Sequence, residues 1–147
     1  MASTLVRLLL PLLVLALAAC AGAQTAPGPQ GWPADQPRTD EQGEVSVTIT
    51  PLAFAAGDAE LGFEISLDTH SVELNIDLTA LATLTTDTGF VLAPNGWEGP
   101  QGGHHMSGIL TFPLPINISD LWEGATQITL MIRSIDGFDR SFVWNLE

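Results

Sequence analysis

The chain has 147 residues and a formal net charge of −13, with 17 Asp and Glu set against 4 basic residues, all of them arginine, and a single cysteine. A field of that sign disfavours nucleic acid and anionic lipid headgroups as partners, because both are polyanions that need clustered cations. One cysteine cannot form an intramolecular disulfide, and a free thiol in an oxidising compartment is a liability unless it is modified.

The first element is an export signal. Arg7 is its only cation, Leu8 to Leu17 are apolar apart from Pro11, and Ala18 and Ala19 precede Cys20. A helical membrane span needs about 20 apolar residues, so this run is too short to be one. Leu17-Ala18-Ala19-Cys20 resembles the lipobox of bacterial lipoproteins. The resemblance implies that Cys20 takes a diacylglyceryl group on sulfur and that residues 1–19 are then removed. The protein would sit in the cell envelope, lipid-anchored on the extracytoplasmic face of a membrane, periplasmic or cell-surface. Two acyl chains hold firmly where one binds only marginally. An ordinary secretory signal with a cysteine near its cleavage site is the alternative.

Residues 20–43 carry Pro27, Pro29, Pro33 and Pro37 among Gly, Gln and Ala, a composition that reads as a flexible tether in which Trp32 is incidental. Residues 44–147 are long enough for one domain with its own core.

Period-two alternation dominates that domain and predicts strands over 45–50, 60–67, 72–78, 81–86, 90–97, 108–113, 127–134 and 138–146. The apolar positions are odd through Leu61, Phe63, Ile65 and Leu67 but even through Val72, Leu74, Ile76 and Leu78, so the chain must turn between them. Asp68-Thr69-His70-Ser71 as a four-residue hairpin loop sets Leu67 opposite Val72 and Phe63 opposite Ile76, giving one apolar face. By the same parity, a loop at Asp87-Thr88-Gly89 pairs Leu84 with Leu92. In the last hairpin, Leu130 must meet Phe142 and Ile128 must meet Trp144. A two-residue Asp136-Gly137 turn gives the wrong parity, so the expected loop is Ile135-Asp136-Gly137, with Arg133 opposite Asp139. One helical turn is expected at residues 118–124, capped by Ser119 and stopped by Gly124. About eight strands at this spacing predict an all-β fold, an immunoglobulin-like antiparallel β-sandwich, with a barrel as the rival.

The sequence holds no nucleophile elbow, phosphate-binding glycine loop or zinc-protease helix, so no catalytic residue is assigned and an enzyme is not expected. Strand carboxylates such as Glu64 and Glu73 read as a wet sheet face. The unusual segment is Gly99-Pro100-Gln101-Gly102-Gly103-His104-His105-Met106, which follows Trp97 and precedes the strand expected from Gly108. Imidazole suits copper, zinc and nickel, and thioether suits Cu(I). Two glycines allow adjacent histidines to point the same way, where a regular strand sends them to opposite faces. His70, His104 and His105, with Met106 as an optional soft ligand, are therefore candidates for a copper or zinc site. The bland reading of the same histidines is hydrogen bonding to backbone or water. Trp97 is the candidate for stacking on a sugar, against the plainer reading of loop packing.

The folded part also resembles small uncharacterised extracytoplasmic bacterial domains that share a Thr69-His70-Ser71-Val72-Glu73-Leu74-like hairpin and a Gly102-Gly103-His104-His105-like loop. The resemblance implies a β-sandwich and supplies no catalytic or ligand residue. Three functions follow in order: a lipid-anchored interaction or accessory module for an unknown protein or small ligand, a copper- or zinc-binding lipoprotein, and a carbohydrate-binding sandwich.

Overall fold

The computed structural model describes residues 31–146, Ala56 apart, as two facing antiparallel sheets. The first sheet has the order β1-β2-β3-β7-β6, built from β1 (Arg38–Asp40), β2 (Val45–Pro51), β3 (Glu60–Thr69), β7 (His105–Pro113) and β6 (Gly96–Glu98). The second has the order β5-β4-β8-β9, from β5 (Val91–Leu92), β4 (Ala82–Thr86), β8 (Gln127–Ile135) and β9 (Phe138–Asn145). This is the expected sandwich, with nine strands and two short helices, α1 (Leu78–Leu81) and α2 (Ile118–Trp122), among the described residues.

Alternation decides which side chains face inward. Val45, Val47 and Ile49 of β2, the four odd apolar residues of β3, and Met106, Leu110 and Phe112 of β7 are buried on one side. Leu84, Ile128, Leu130, Ile132, Phe142 and Trp144 meet them from the other. Phe63 joins the layers, its ring centre 5.6 Å from Phe112 and 5.8 Å from Trp144.

The hairpin expected between 60–67 and 72–78 does not form. β3 pairs instead with β2 and β7, so that Leu67 lies between Val47 and Met106, and Phe63 between Pro51 and Leu110. The chain leaves the sheet where the Thr69 hydroxyl accepts hydrogen bonds from the backbone N–H groups of Ser71 and Val72. Residues 72–77 then form no strand and pair with the β-structure through an isolated bridge between Leu74 and Gly103, and Asp77 caps α1 by accepting from Thr79 N–H. Leu74 and Leu78 are buried all the same. Alternation there records packing against the sandwich without a strand partner.

The expected strand 90–97 is divided, with β5 on one sheet and β6 on the other. Pro94 lies in the crossover, where its missing N–H costs no ladder bond. Leu84 does face Leu92 around the three-residue loop, whose Gly89 has φ 92°.

In the last hairpin Leu130 faces Phe142 and Ile128 faces Trp144, as parity requires. The turn is nonetheless the two-residue Asp136-Gly137, both residues in the left-handed region (φ 50° and 79°) that a type I′ turn demands. A bulge between Ile132 and Ile135, with Ser134 at φ 57°, restores the parity, and it sets both Arg133 and Ser134 against Asp139. Asp139 accepts from the Ser134 N–H. The helical turn at α2 is present, but Asn117 and not Ser119 occupies its N-cap position.

Part of the segment expected as a tether belongs to the sandwich. The Trp32 indole packs edge-on against Phe54 and Trp122 and donates to the Leu52 carbonyl. β1 pairs with β2, and β9 grips the adjacent backbone: Trp144 Nε1 donates to Gln36 O, and Arg140, fully buried, donates to Asp40 and to the carbonyl of Gln42. These bonds close the side of the sandwich where the β1 and β9 edges would otherwise be open.

Candidate functional site

The histidines emerge at one end of the β3–β7 pair. Asp68 and His105 are directly opposed in that ladder, one step beyond the Leu67–Met106 pair. Since neighbouring residues of a strand alternate in direction, Asp68 and His105 project outward while Leu67 and Met106 enter the core. His105 Nδ1 lies 2.7 Å from Asp68 Oδ1, and the Ser66 hydroxyl donates to the other carboxylate oxygen at 2.8 Å. The hydrogen bond with His105, then that from Ser66, hold the Asp68 carboxyl below its ordinary range, with a smaller contribution from the His70 ring.

His70 follows at the start of the turn that ends β3, and its ring centre is 6.1 Å from that of His105, the planes nearly perpendicular. A groove of about 290 Å³ runs beside it, lined by Glu41, Glu44, Ser46, Asp68 and His70. Within it, Ser71 donates to the Glu44 carboxylate at 2.9 Å.

His104 goes elsewhere. Its Nε2 is 3.6 Å from Glu73, and the same carboxylate accepts from the Gly103 N–H. Gly102 and Gly103 adopt φ 124° and 103°, conformations that glycine permits, but they turn His104 toward the 72–77 segment while His105 enters the regular strand. The three histidines therefore do not converge, and among the described residues no three His, Cys, Asp or Glu side chains are grouped to hold a metal ion. Met106 is fully buried in the core and cannot serve the surface as a soft ligand.

Trp97 is half-buried on β6, opposite the buried Leu110, and its Nε1 donates to the Pro100 carbonyl. Its ring covers Gly108, where a Cβ would lie 2.9 Å from it. That is packing of one side of the indole against the sheet. Cys20 and the signal lie outside the described residues.

Sequence reasoning missed Asp68 and Glu73 as partners of the histidines. Placing Asp68 in a hairpin loop hid its ladder position, and reading Glu73 as a strand residue aimed it at solvent. The Asp68-Thr69-His70 spacing was the available signal, since residues two apart share a face of a strand.

No protein-family model matches the sequence, and no curated protein matches it. Among solved structures, a DUF4426 family protein from Pseudomonas aeruginosa PAO1 is similar at a TM-score of 0.40 and 11% identity, over 74% of this chain and 93% of that one. A likeness that distant carries no argument about site or activity.

Proposed function

We propose that the chain is an exported bacterial lipoprotein, lipidated at Cys20, whose β-sandwich serves as a non-catalytic interaction or accessory module on the extracytoplasmic face of a membrane. The observation that carries this reading is Leu17-Ala18-Ala19-Cys20 directly behind a short apolar run, in a chain with no other cysteine. Two features of the fold are compatible with it. No helix among the described residues is long and apolar enough to cross a membrane. The backbone that leads away from the anchor is tied to the sandwich by Trp32, Trp144 and Arg140, so tension on the lipid end would load the core and not an isolated edge strand. Cys20 and Trp32 are twelve residues apart, which spans at most roughly 40 Å and would keep the domain close to the lipid surface.

The test is metabolic labelling with an alkynyl fatty acid in a lipoprotein-processing bacterium, followed by membrane fractionation and mass spectrometry of the mature N-terminus. Wild-type protein is expected to carry label and to pellet with membranes. Cys20→Ser is expected to carry none and to be soluble or unprocessed. An unmodified Cys20 thiol on the mature protein would end the reading.

A further inference from the structure

We propose that His70 and His105 form a binding site for a borderline divalent cation, zinc or copper(II), in which Asp68 orients His105 without itself being a ligand. The site is independent of the lipid anchor and differs from the three-histidine arrangement suggested by the sequence.

A metal lies about 2.0–2.1 Å from each ligating nitrogen, and the nitrogen is about 1 Å out from the ring centre, so one ion joins rings whose centres are roughly 5–6 Å apart. The His70 and His105 centres are separated by 6.1 Å, and rotation of the exposed His70 side chain can close the remainder while Asp68 holds His105.

With Nδ1 of His105 engaged by Asp68, the neutral ring donates its proton there and leaves the Nε2 lone pair bare for a metal. Carboxylate behind imidazole is the usual support of a metal-ligating histidine, fixing both tautomer and ring direction. Ser66 in turn fixes the carboxylate, so the support extends one residue further into β3.

Two imidazoles leave coordination positions for water or for a third donor. Water is the ligand for those positions, since among the described residues no third His, Cys, Asp or Glu side chain is grouped with the two histidines. The donor set also selects the ion. With Met106 sealed in the core, the surface presents nitrogen and oxygen only, which suits Zn(II) and Cu(II) and disfavours Cu(I). His104 is turned to Glu73 and takes no part.

The mature full-length protein, purified in detergent, is titrated with Zn(II) and with Cu(II) in competition with a chromophoric chelator at one fixed pH. One equivalent is expected to bind. His70→Ala and His105→Ala should each lower the affinity at least tenfold, to the level of loose carboxylate binding. Asp68→Asn should lower it about 10–100-fold, the usual cost of losing a supporting carboxylate, and His104→Ala should leave it unchanged. All four side chains are exposed, and circular dichroism of the metal-free variants checks that each is folded. The ¹⁵N shift of His105 Nε2 should move on zinc addition in wild type and in His104→Ala alike. Equal affinity in wild type and His105→Ala, or as large a loss in His104→Ala, would overturn the proposal. Since the readout is soluble-phase binding, its failure leaves the lipidation of Cys20 untouched, and the reverse holds too.

Discussion

Removing the Asp40 carboxylate should destabilise the fold more than removing the arginine it pairs with. Arg140 is fully buried, while Asp40 keeps 21% of its side-chain surface, and the two are 2.7 Å apart. Asp40→Ala leaves a guanidinium with no counter-charge in the interior, a defect that costs about 3–5 kcal/mol in an enclosed pair. The partial exposure of Asp40 argues for the lower end, about 3 kcal/mol. For a domain of this size that corresponds to a fall in Tm of roughly 12 °C, at about 4 °C per kcal/mol. Arg140→Met keeps most of the volume and leaves an aspartate that can turn to water. It gives up the bonds to the Asp40 and Gln42 carbonyls, worth about 1 kcal/mol each. The double variant Asp40→Ala/Arg140→Met should therefore be more stable than Asp40→Ala alone. The measurement is equilibrium urea unfolding at neutral pH of the mature chain with Cys20 replaced by Ser. If Asp40→Ala costs under about 1 kcal/mol, or if the double variant is no more stable than that single one, the buried-charge reasoning is wrong.

The same pair predicts a pH dependence. Burial pushes the Asp40 carboxyl up, but hydrogen bonds from Gln42 and the charge and hydrogen bond of Arg140 outweigh it, so the folded value lies below the ordinary 3.8. A depressed carboxyl contributes stability that is present above 3.8 and is lost as pH falls through the lower folded value. The stability difference between wild type and Asp40→Ala should accordingly be constant from neutrality to about pH 5 and shrink below 3.8.

Two further substitutions test the core. Phe63→Ala removes a fully buried ring that touches both sheets and should cost about 3–5 kcal/mol in the same unfolding assay; a loss below 1 kcal/mol would mean that Phe63 does not join the layers. Gly108→Ala places a methyl group against the Glu98 carbonyl and the Trp97 ring, and should cost about 1–3 kcal/mol and shift the Trp97 fluorescence; an unchanged spectrum with unchanged stability would refute the close approach of β6 to β7.

The strands of the two sheets were legible wherever a buried face and a wet face alternate, as in Val45–Ile49, Leu61–Leu67 and Ile128–Trp144, because the side-chain period of a strand is a local property. Parity likewise fixed two registers, Leu84 with Leu92 and Leu130 with Phe142, since both pairings are closed by short loops. Parity could not separate a three-residue loop from a two-residue turn with a bulge, because the two differ by a residue that can sit on either side of the turn.

Partners distant in sequence were not legible. Val72, Leu74, Ile76 and Leu78 alternate as well as any strand, but β3 has neighbours on both sides in β2 and β7, and the 72–78 segment finds no free edge there. The alternation states that the segment is half-buried and not what buries it. The N-terminal arm shows the converse. Prolines at 27, 29, 33 and 37 exclude a helix, which suits a tether, but Pro33 and Pro37 suit equally the turn and short edge strand that residues 33–40 form. What separates the two is Arg140 and Trp144, about a hundred residues away, whose donors reach Asp40, Gln42 and Gln36 only after β9 has docked. The histidines follow the same rule. The sequence predicted loops for all of them, but His105 opens β7, and its pairing with Asp68 across β3 and β7 decided that His105 lies beside His70 while His104 turns to Glu73, because ladder register is a tertiary choice.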